Sequence, residues 1–171
     1  MRRTLLLFVL VMSCMISAKG GDSHSGYRGY MDIALGDAYN FNTAQTVSIN
    51  NMQLYVMFSS VQGYYHKKWF IGSGIGYYYS CRDMEKIYPA FVASRYEFRM
   101  FKKQCGIESR LGIMYDPFWV EKVQNYGSFA FGVNVHKRLI LDLRVSVFSR
   151  PSRFFTANAA VVVRYKIEKK L

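Results

Sequence analysis

Apolar and polar side chains alternate with a period of two along much of the chain, most clearly in its second half. Between residues 139 and 148, one face carries Leu139, Leu141, Leu143, Val145 and Val147. The other face carries Ile140, Asp142, Arg144 and Ser146. Segments 105–114, 125–135 and 156–164 repeat the pattern. Because successive side chains of a β-strand point to opposite faces, this period predicts strands with one apolar face and one small, polar or charged face.

Turn-type or charged residues divide the chain into eight stretches of strand length. These predicted strands are 27–37, 50–65, 69–80, 88–99, 105–116, 125–136, 138–149 and 154–167. After the first twenty residues, no stretch of ten or more shows a convincing helical period, which argues against a βαβ unit or a second domain. A length of 171 residues also suits one domain. We therefore expect an all-β fold.

The connections between these strands alternate in length. The longer and more polar ones are 38–49, 81–87, 117–124 and 150–153, and the short ones are 66–68, 100–104 and the 137–138 junction. An even number of two-faced strands with alternating connections is typical of an antiparallel up-and-down transmembrane β-barrel. Its short turns would face the periplasm. They would form a basic periplasmic rim of Lys67, Lys68, Lys102, Lys103, Lys137 and Arg138, in contact with lipid head groups.

The charged face decides between a membrane barrel and a soluble one. In a membrane barrel the apolar face meets lipid and the polar face lies inside. The predicted lumen charge network is then Asp32, Arg95, Glu97, Glu108, Arg110, Asp142 and Arg144. Four acids and three bases nearly balance, as buried charges require, in a chain whose net charge is +12. The same face carries Gly72, Gly74, Gly76, Gly106, Gly112 and Gly132, which suits a narrow lumen.

Aromatic residues make up 17% of the chain and favour β-structure. Many lie near predicted strand ends, where Tyr and Trp form girdles at membrane interfaces. They include Tyr64, Tyr65, Trp69, Phe70, Tyr78, Tyr88, Tyr115, Phe148 and Tyr165. The basic residues lie mainly in the turns and belong to no recognisable nucleic-acid-binding module, so we expect no nucleic-acid partner.

The N-terminus has the organisation of a secretory signal peptide. Two arginines precede an apolar run that is too short to span a membrane, and small residues follow it. We predict a signal peptide at 1–20, with cleavage before Gly21 or after Ala18, and an outer-membrane barrel domain at 21–171. A poor lipobox match leaves lipidation at Cys14 as an alternative. The other two cysteines, Cys81 and Cys105, lie at opposite ends of the expected barrel, so we expect no disulfide between them.

Three segments carry a resemblance to a known family. They are Gly26–Asp32 (GYRGYMD), Trp69–Gly76 (WFIGSGIG) and Tyr88–Tyr96 (YPAFVASRY). The chain resembles the small eight-stranded outer-membrane barrels of the OmpA/OmpX type, especially the porin-like β-barrel proteins of the Bacteroidetes. The resemblance implies insertion by the barrel-assembly machinery, which usually reads a C-terminal aromatic residue. Here Tyr165 and Ile167 fill the alternating positions, and four more residues follow.

The sequence contains no convincing catalytic, cofactor-binding or metal-binding motif. The histidines are His24, His66 and His136, and none has the Ser two residues away that lipid A deacylase barrels use. We therefore expect a monomeric, non-enzymatic protein of the outer membrane, with outer-membrane lipid as its partner and a structural or adhesive role. The alternatives are a soluble, lipocalin-like barrel that binds an apolar ligand, and a lipid-modifying outer-membrane enzyme.

Overall fold

The computed structural model describes residues 25–42, 52–81, 84–100, 102–117, 123–150 and 154–167. In these ranges the chain forms eight strands: β1 (Ser25–Asn42), β2 (Met52–His66), β3 (Trp69–Ser80), β4 (Lys86–Met100), β5 (Lys103–Tyr115), β6 (Val123–Asn134), β7 (Leu139–Arg150) and β8 (Phe154–Ile167). Each strand pairs antiparallel with the next, and β8 pairs with β1, which closes the barrel. The predicted all-β, up-and-down barrel is confirmed.

The strand bounds depart from prediction mainly at the connections. β1 continues to Asn42 and takes up the first part of the predicted 38–49 connection, while Lys103 belongs to β5 rather than to a turn. Two of the short turns place a lysine in the left-handed region, with φ of 57° at Lys67 and 63° at Lys102. Left-handed residues let a hairpin reverse within very few residues. Neither Lys67-Lys68 nor Lys102-Lys103 contains a residue type that favours the left-handed conformation, so the sequence does not predict it.

The apolar face of each strand points away from the barrel, and the polar face points into it. On β7, Leu143 is 63% exposed whereas its neighbour Arg144 is 2% exposed. The same division holds on β5, where Leu111 is 72% exposed and Arg110 is 1% exposed. This arrangement is the reverse of the soluble, lipocalin-like alternative, in which the aliphatic face would line the cavity. That alternative is wrong about the direction of the faces.

The up-and-down topology gathers the three short turns at one end of the barrel, which we call the short-turn end. The connections after β1, β3, β5 and β7 belong to the opposite end, which we call the long-loop end. The first three are longer than any of the short turns, but β7 and β8 are separated by only three residues, against four between β6 and β7, so the predicted alternation in length is wrong for that pair. Cys81 follows β3 at the long-loop end and Cys105 lies near the start of β5 at the short-turn end, and both are free thiols. The predicted signal peptide at 1–20, including Cys14, lies outside the described residues. No helix in the described ranges is long and apolar enough to cross a membrane.

Candidate functional site in the barrel interior

Asp32 lies at the centre of a group of buried ions. It sits midway along β1, where the register places it opposite Ser59 of β2 and Arg164 of β8. Its Oδ2 accepts hydrogen bonds from Nη2 of Arg110 and, at 2.8 Å, from Nη2 of Arg144. The Ser59 hydroxyl donates to the same oxygen at 3.3 Å. Nη2 of Arg164 is a fourth donor to it, at 3.5 Å, so this one oxygen receives donors from four other strands.

Arg164 connects the remaining acids, and sequence reasoning left it out of the charge network. Its Nε donates to Asp32 Oδ1 at 2.9 Å, while Nη1 and Nη2 both donate to the carboxylate of Glu108. Nη2 also lies 2.9 Å from Oδ2 of Asp142. The signal that could have found Arg164 is the period-two pattern of 156–164, in which it lies on the same face as Thr156 and Asn158.

A second group of ions lies beside this centre. Nη1 of Arg95 is 3.3 Å from Oδ1 of Asp142 and 3.8 Å from Oε2 of Glu108. Glu97 lies 3.9 Å from Nε of Arg95 and 3.9 Å from Nη1 of Arg28, and it accepts a hydrogen bond from the Gln104 amide at 2.9 Å. The ion pairs therefore continue from the centre of the barrel towards the short-turn end.

The structure brings every residue of the predicted charge network into the barrel interior. With Arg164 added, the interior charge cluster comprises Asp32, Arg95, Glu97, Glu108, Arg110, Asp142, Arg144 and Arg164, all at most 3% exposed. Four arginines then face four carboxylates, so the buried positive and negative charges are equal in number. This balance matters because a charge removed from water is costly unless it is paired. Each arginine is ion-paired with at least one acid of the cluster.

Two glycines make room for this cluster. A Cβ built on Gly106 would lie 2.6 Å from Nη2 of Arg95, and one built on Gly132 would lie 1.5 Å from Oδ1 of Asp142. Both distances are shorter than any real contact of this kind. Long charged side chains therefore fit in this narrow interior because the adjacent strands carry no side chain at these points.

Aromatic rings fill the interior on both sides of the cluster. At the long-loop end, the Tyr78 ring stacks on Tyr55 at 4.8 Å and meets the edge of Phe148 at 5.9 Å. Towards the short-turn end, the ring centroids of Phe70 and Tyr30 lie 4.9 Å apart, and the two rings meet edge to face. These inward rings include part of the predicted aromatic girdle, namely Tyr65, Phe70, Tyr78 and Phe148, so the girdle prediction is wrong for them. Tyr64, Trp69, Tyr88, Tyr115 and Tyr165 do point outward and are 43–57% exposed.

The residues of the predicted basic rim are all exposed and lie at the short-turn end. They are Lys67, Lys68, Lys102, Lys103, Lys137 and Arg138. They lie in or directly beside the turns that follow β2, β4 and β6. Arg138 also reaches the outer wall, where its Nη1 donates to the Tyr165 hydroxyl at 3.1 Å. A ring of positive charge therefore surrounds one end of the barrel.

The histidines and acids of the described residues form no metal-binding group. His66 and His136 are exposed at the short-turn end, whereas His24 lies outside the described residues. Within the described ranges, no three His, Cys, Asp or Glu side chains are placed so that they could hold a metal ion. The acids in the interior instead face arginines.

In sequence, no family model and no curated protein matches the chain. Among solved structures, the crystal structure of Neisserial surface protein A is similar with a TM-score of 0.52 at 13% identity, over 84% of this chain and 99% of that chain. The crystal structure of Ail, the attachment invasion locus protein of Yersinia pestis, gives a TM-score of 0.49 at 8% identity, over 82% and 99%. A de novo designed transmembrane β-barrel gives 0.47 at 10%, over 87% and 100%.

At these identities the likeness concerns the fold. Neisserial surface protein A carries that comparison, because its TM-score lies above 0.5 and the other two lie below it. The inward charges and outward apolar side chains described above agree with it. The chain has the closed, eight-stranded antiparallel fold of the small outer-membrane β-barrels.

Proposed function

We propose that this protein is an integral outer-membrane protein of a Gram-negative bacterium, non-enzymatic, with a structural or surface-interaction role. The observation that carries the proposal is the inverted distribution of side chains: ions are buried inside, while Leu, Ile, Val and Phe cover the outside. Such a surface would aggregate in water but matches the hydrocarbon of a bilayer. On this proposal, the protein belongs with the small OmpA/OmpX-type barrels.

The interior supports a lumen plugged by side chains. The charge cluster occupies the middle of the barrel, and aromatic rings lie on either side of it. Near the short-turn end, the Arg28 guanidinium lies 3.6 Å from the centre of the Tyr65 ring. An interior packed in this way leaves the protein's outer surfaces as its means of interaction. We accordingly assign the surface role to the connections at the long-loop end, as variable recognition elements outside the cell.

The partners follow from the same surfaces. The apolar wall would contact outer-membrane lipid, and the basic rim would lie at the head groups of the periplasmic leaflet, where each cation contributes about 1 kcal/mol. Insertion would require the barrel-assembly machinery. We propose a monomer, because closure between β8 and β1 leaves no unpaired sheet edge in the described strands. We propose no nucleic-acid partner, because the basic residues lie mainly in the turns and form no recognisable nucleic-acid-binding module.

Fractionation combined with a heat-modifiability gel tests the location. The protein should be recovered in the outer-membrane fraction and should change its mobility on boiling, because a folded barrel migrates differently from the unfolded chain. Recovery as a freely soluble periplasmic protein would refute the proposal. Planar-bilayer recordings test the plug separately, and a stable open conductance would contradict it.

The surface-interaction role needs its own experiment. Residues 43–51 can be replaced by a Gly/Ser segment of the same length, with the barrel strands left intact. Cells that display the wild-type protein should adhere to host-cell surfaces more strongly than cells that display the replaced variant. Equal adhesion with equal surface amounts would favour a purely structural role in the envelope.

A further inference from the structure

The outer wall of the barrel contains an apolar groove that crosses β8, β1, β2 and β3. Its volume is about 500 Å³. The outward side chains around it are Met31, Ile33, Phe58, Ile75, Tyr77 and Tyr165. The groove lies between side chains that face away from the barrel, so it is a depression in the wall and not part of the interior.

Ser60 explains why the wall is depressed here. The register places it between Met31 of β1 and Ile75 of β3, both on the outward face. Ser60 also points outward, yet it is only 4% exposed because larger neighbours surround it. Its Oγ has no hydrogen-bond partner among the described residues. A small side chain among large ones thus forms the floor of the groove.

A cation lies where the groove approaches the short-turn end. Tyr165 lines the groove and pairs with Leu139, the first residue of β7. Arg138 immediately precedes Leu139, and its Nη1 donates to the Tyr165 hydroxyl at 3.1 Å. Arg138 is exposed, as is the adjacent Lys137. The apolar groove is therefore continuous, through Tyr165, with a positively charged corner of the basic rim.

We propose that this groove and Arg138 form a binding site for one anionic phospholipid, with an acyl chain in the groove and the phosphate at the guanidinium. The inference rests on the proposed function, since it requires the wall to face lipid. Charge complementarity selects this occupant. A second copy of the chain would bring another basic rim, and like charges would repel, whereas an anionic head group matches the rim. The bare apolar wall elsewhere attracts acyl chains without distinguishing one head group from another.

Native mass spectrometry of the protein purified from outer membranes tests the head-group contact. The protein is titrated with phosphatidylglycerol and, separately, with phosphatidylcholine of the same acyl chains. One phosphatidylglycerol per barrel should be retained preferentially. Arg138→Gln should reduce that retention about fivefold, and Arg138→Lys should preserve most of it. Lys86→Gln removes a charge from the long-loop end, outside the basic rim, and should leave retention unchanged.

A second pair of variants tests the groove itself. Ser60→Phe fills its floor and should reduce the retention of both lipids. Ser109→Phe adds the same ring to the outward face of β5, away from the groove, and serves as the control. Equal retention of the two lipids by the wild type, no effect of Arg138→Gln, or a lipid-free dimer would overturn the inference. Each variant is first checked for heat-modifiable mobility, so loss of the barrel, which would refute the proposed function, is distinguished from loss of the lipid site.

Discussion

Arg164 on β8 donates from its Nε to Oδ1 of Asp32 on β1 at 2.9 Å, across the seam where the last strand meets the first. The same guanidinium pairs with Glu108 on β5 and Asp142 on β7. One side chain thereby ties together four strands, β1, β5, β7 and β8. Closure of the barrel and pairing of the buried charges are coupled at this residue.

Replacing Arg164 should therefore be costly. Arg164→Leu would leave Asp32 and Glu108 buried with fewer counter-charges, and we expect the free energy of unfolding to fall by about 3–5 kcal/mol. Urea unfolding in detergent micelles measures the change. Arg110→Leu should behave similarly, because Arg110 pairs with the same two acids. The exposed Lys102→Leu provides the control, with an expected effect within about 0.5 kcal/mol. If the arginine variants and the lysine variant were equally stable, the buried ion pairs would not stabilise the barrel.

The strands and their faces were predictable because a wall with two different sides imposes a period of two on every strand. The bounds of β3 and β8 agree with the prediction to the residue. Arg164 could have been predicted as an inward charge, because it lies on the same face of 156–164 as Thr156 and Asn158. Its contact with Asp32 could not, because that contact depends on how β8 is staggered against β1, and one strand's pattern carries no information about stagger. Likewise, inward rings such as Tyr78 and outward rings such as Trp69 both occur near strand ends, so proximity to an end alone did not separate them.

Even a methyl group at Gly132 should destabilise the barrel. A Cβ there would lie 1.5 Å from Oδ1 of Asp142, so Gly132→Ala must displace a carboxylate that pairs with Arg95 and Arg164. We expect a loss of about 1–3 kcal/mol in the free energy of unfolding. Gly127→Ala on the same strand is the matched control, since its Cβ would meet only Leu111 Cδ2, at 3.8 Å. That substitution should be neutral or slightly stabilising. Similar losses for both variants would mean that β6 simply disfavours alanine.

The free-energy cost of a charged side chain on the outer wall should depend on its depth in the membrane. Leu143 lies near the middle of β7 and is 63% exposed, whereas Val123 begins β6 at the long-loop end and is 51% exposed. In lipid vesicles, Leu143→Lys should cost about 2–4 kcal/mol and Val123→Lys about 0–1 kcal/mol. Reversible unfolding from vesicles, followed by tryptophan fluorescence, gives both values. A wall that faced water would accept either lysine at little cost, so a small and equal penalty would argue against the membrane assignment.

Cysteine labelling in intact cells should reveal which end of the barrel faces outward. Cys81 is exposed at the long-loop end, whereas Cys105 is buried and supplies the background level. A maleimide reagent too large to cross the outer membrane should therefore label the wild-type protein. The double variant Cys81→Ser, Lys102→Cys moves the exposed thiol to the short-turn end, and it should react only after the outer membrane is disrupted. Labelling of the double variant in intact cells, with protection of Cys81, would place the basic rim outside and reverse the proposed topology.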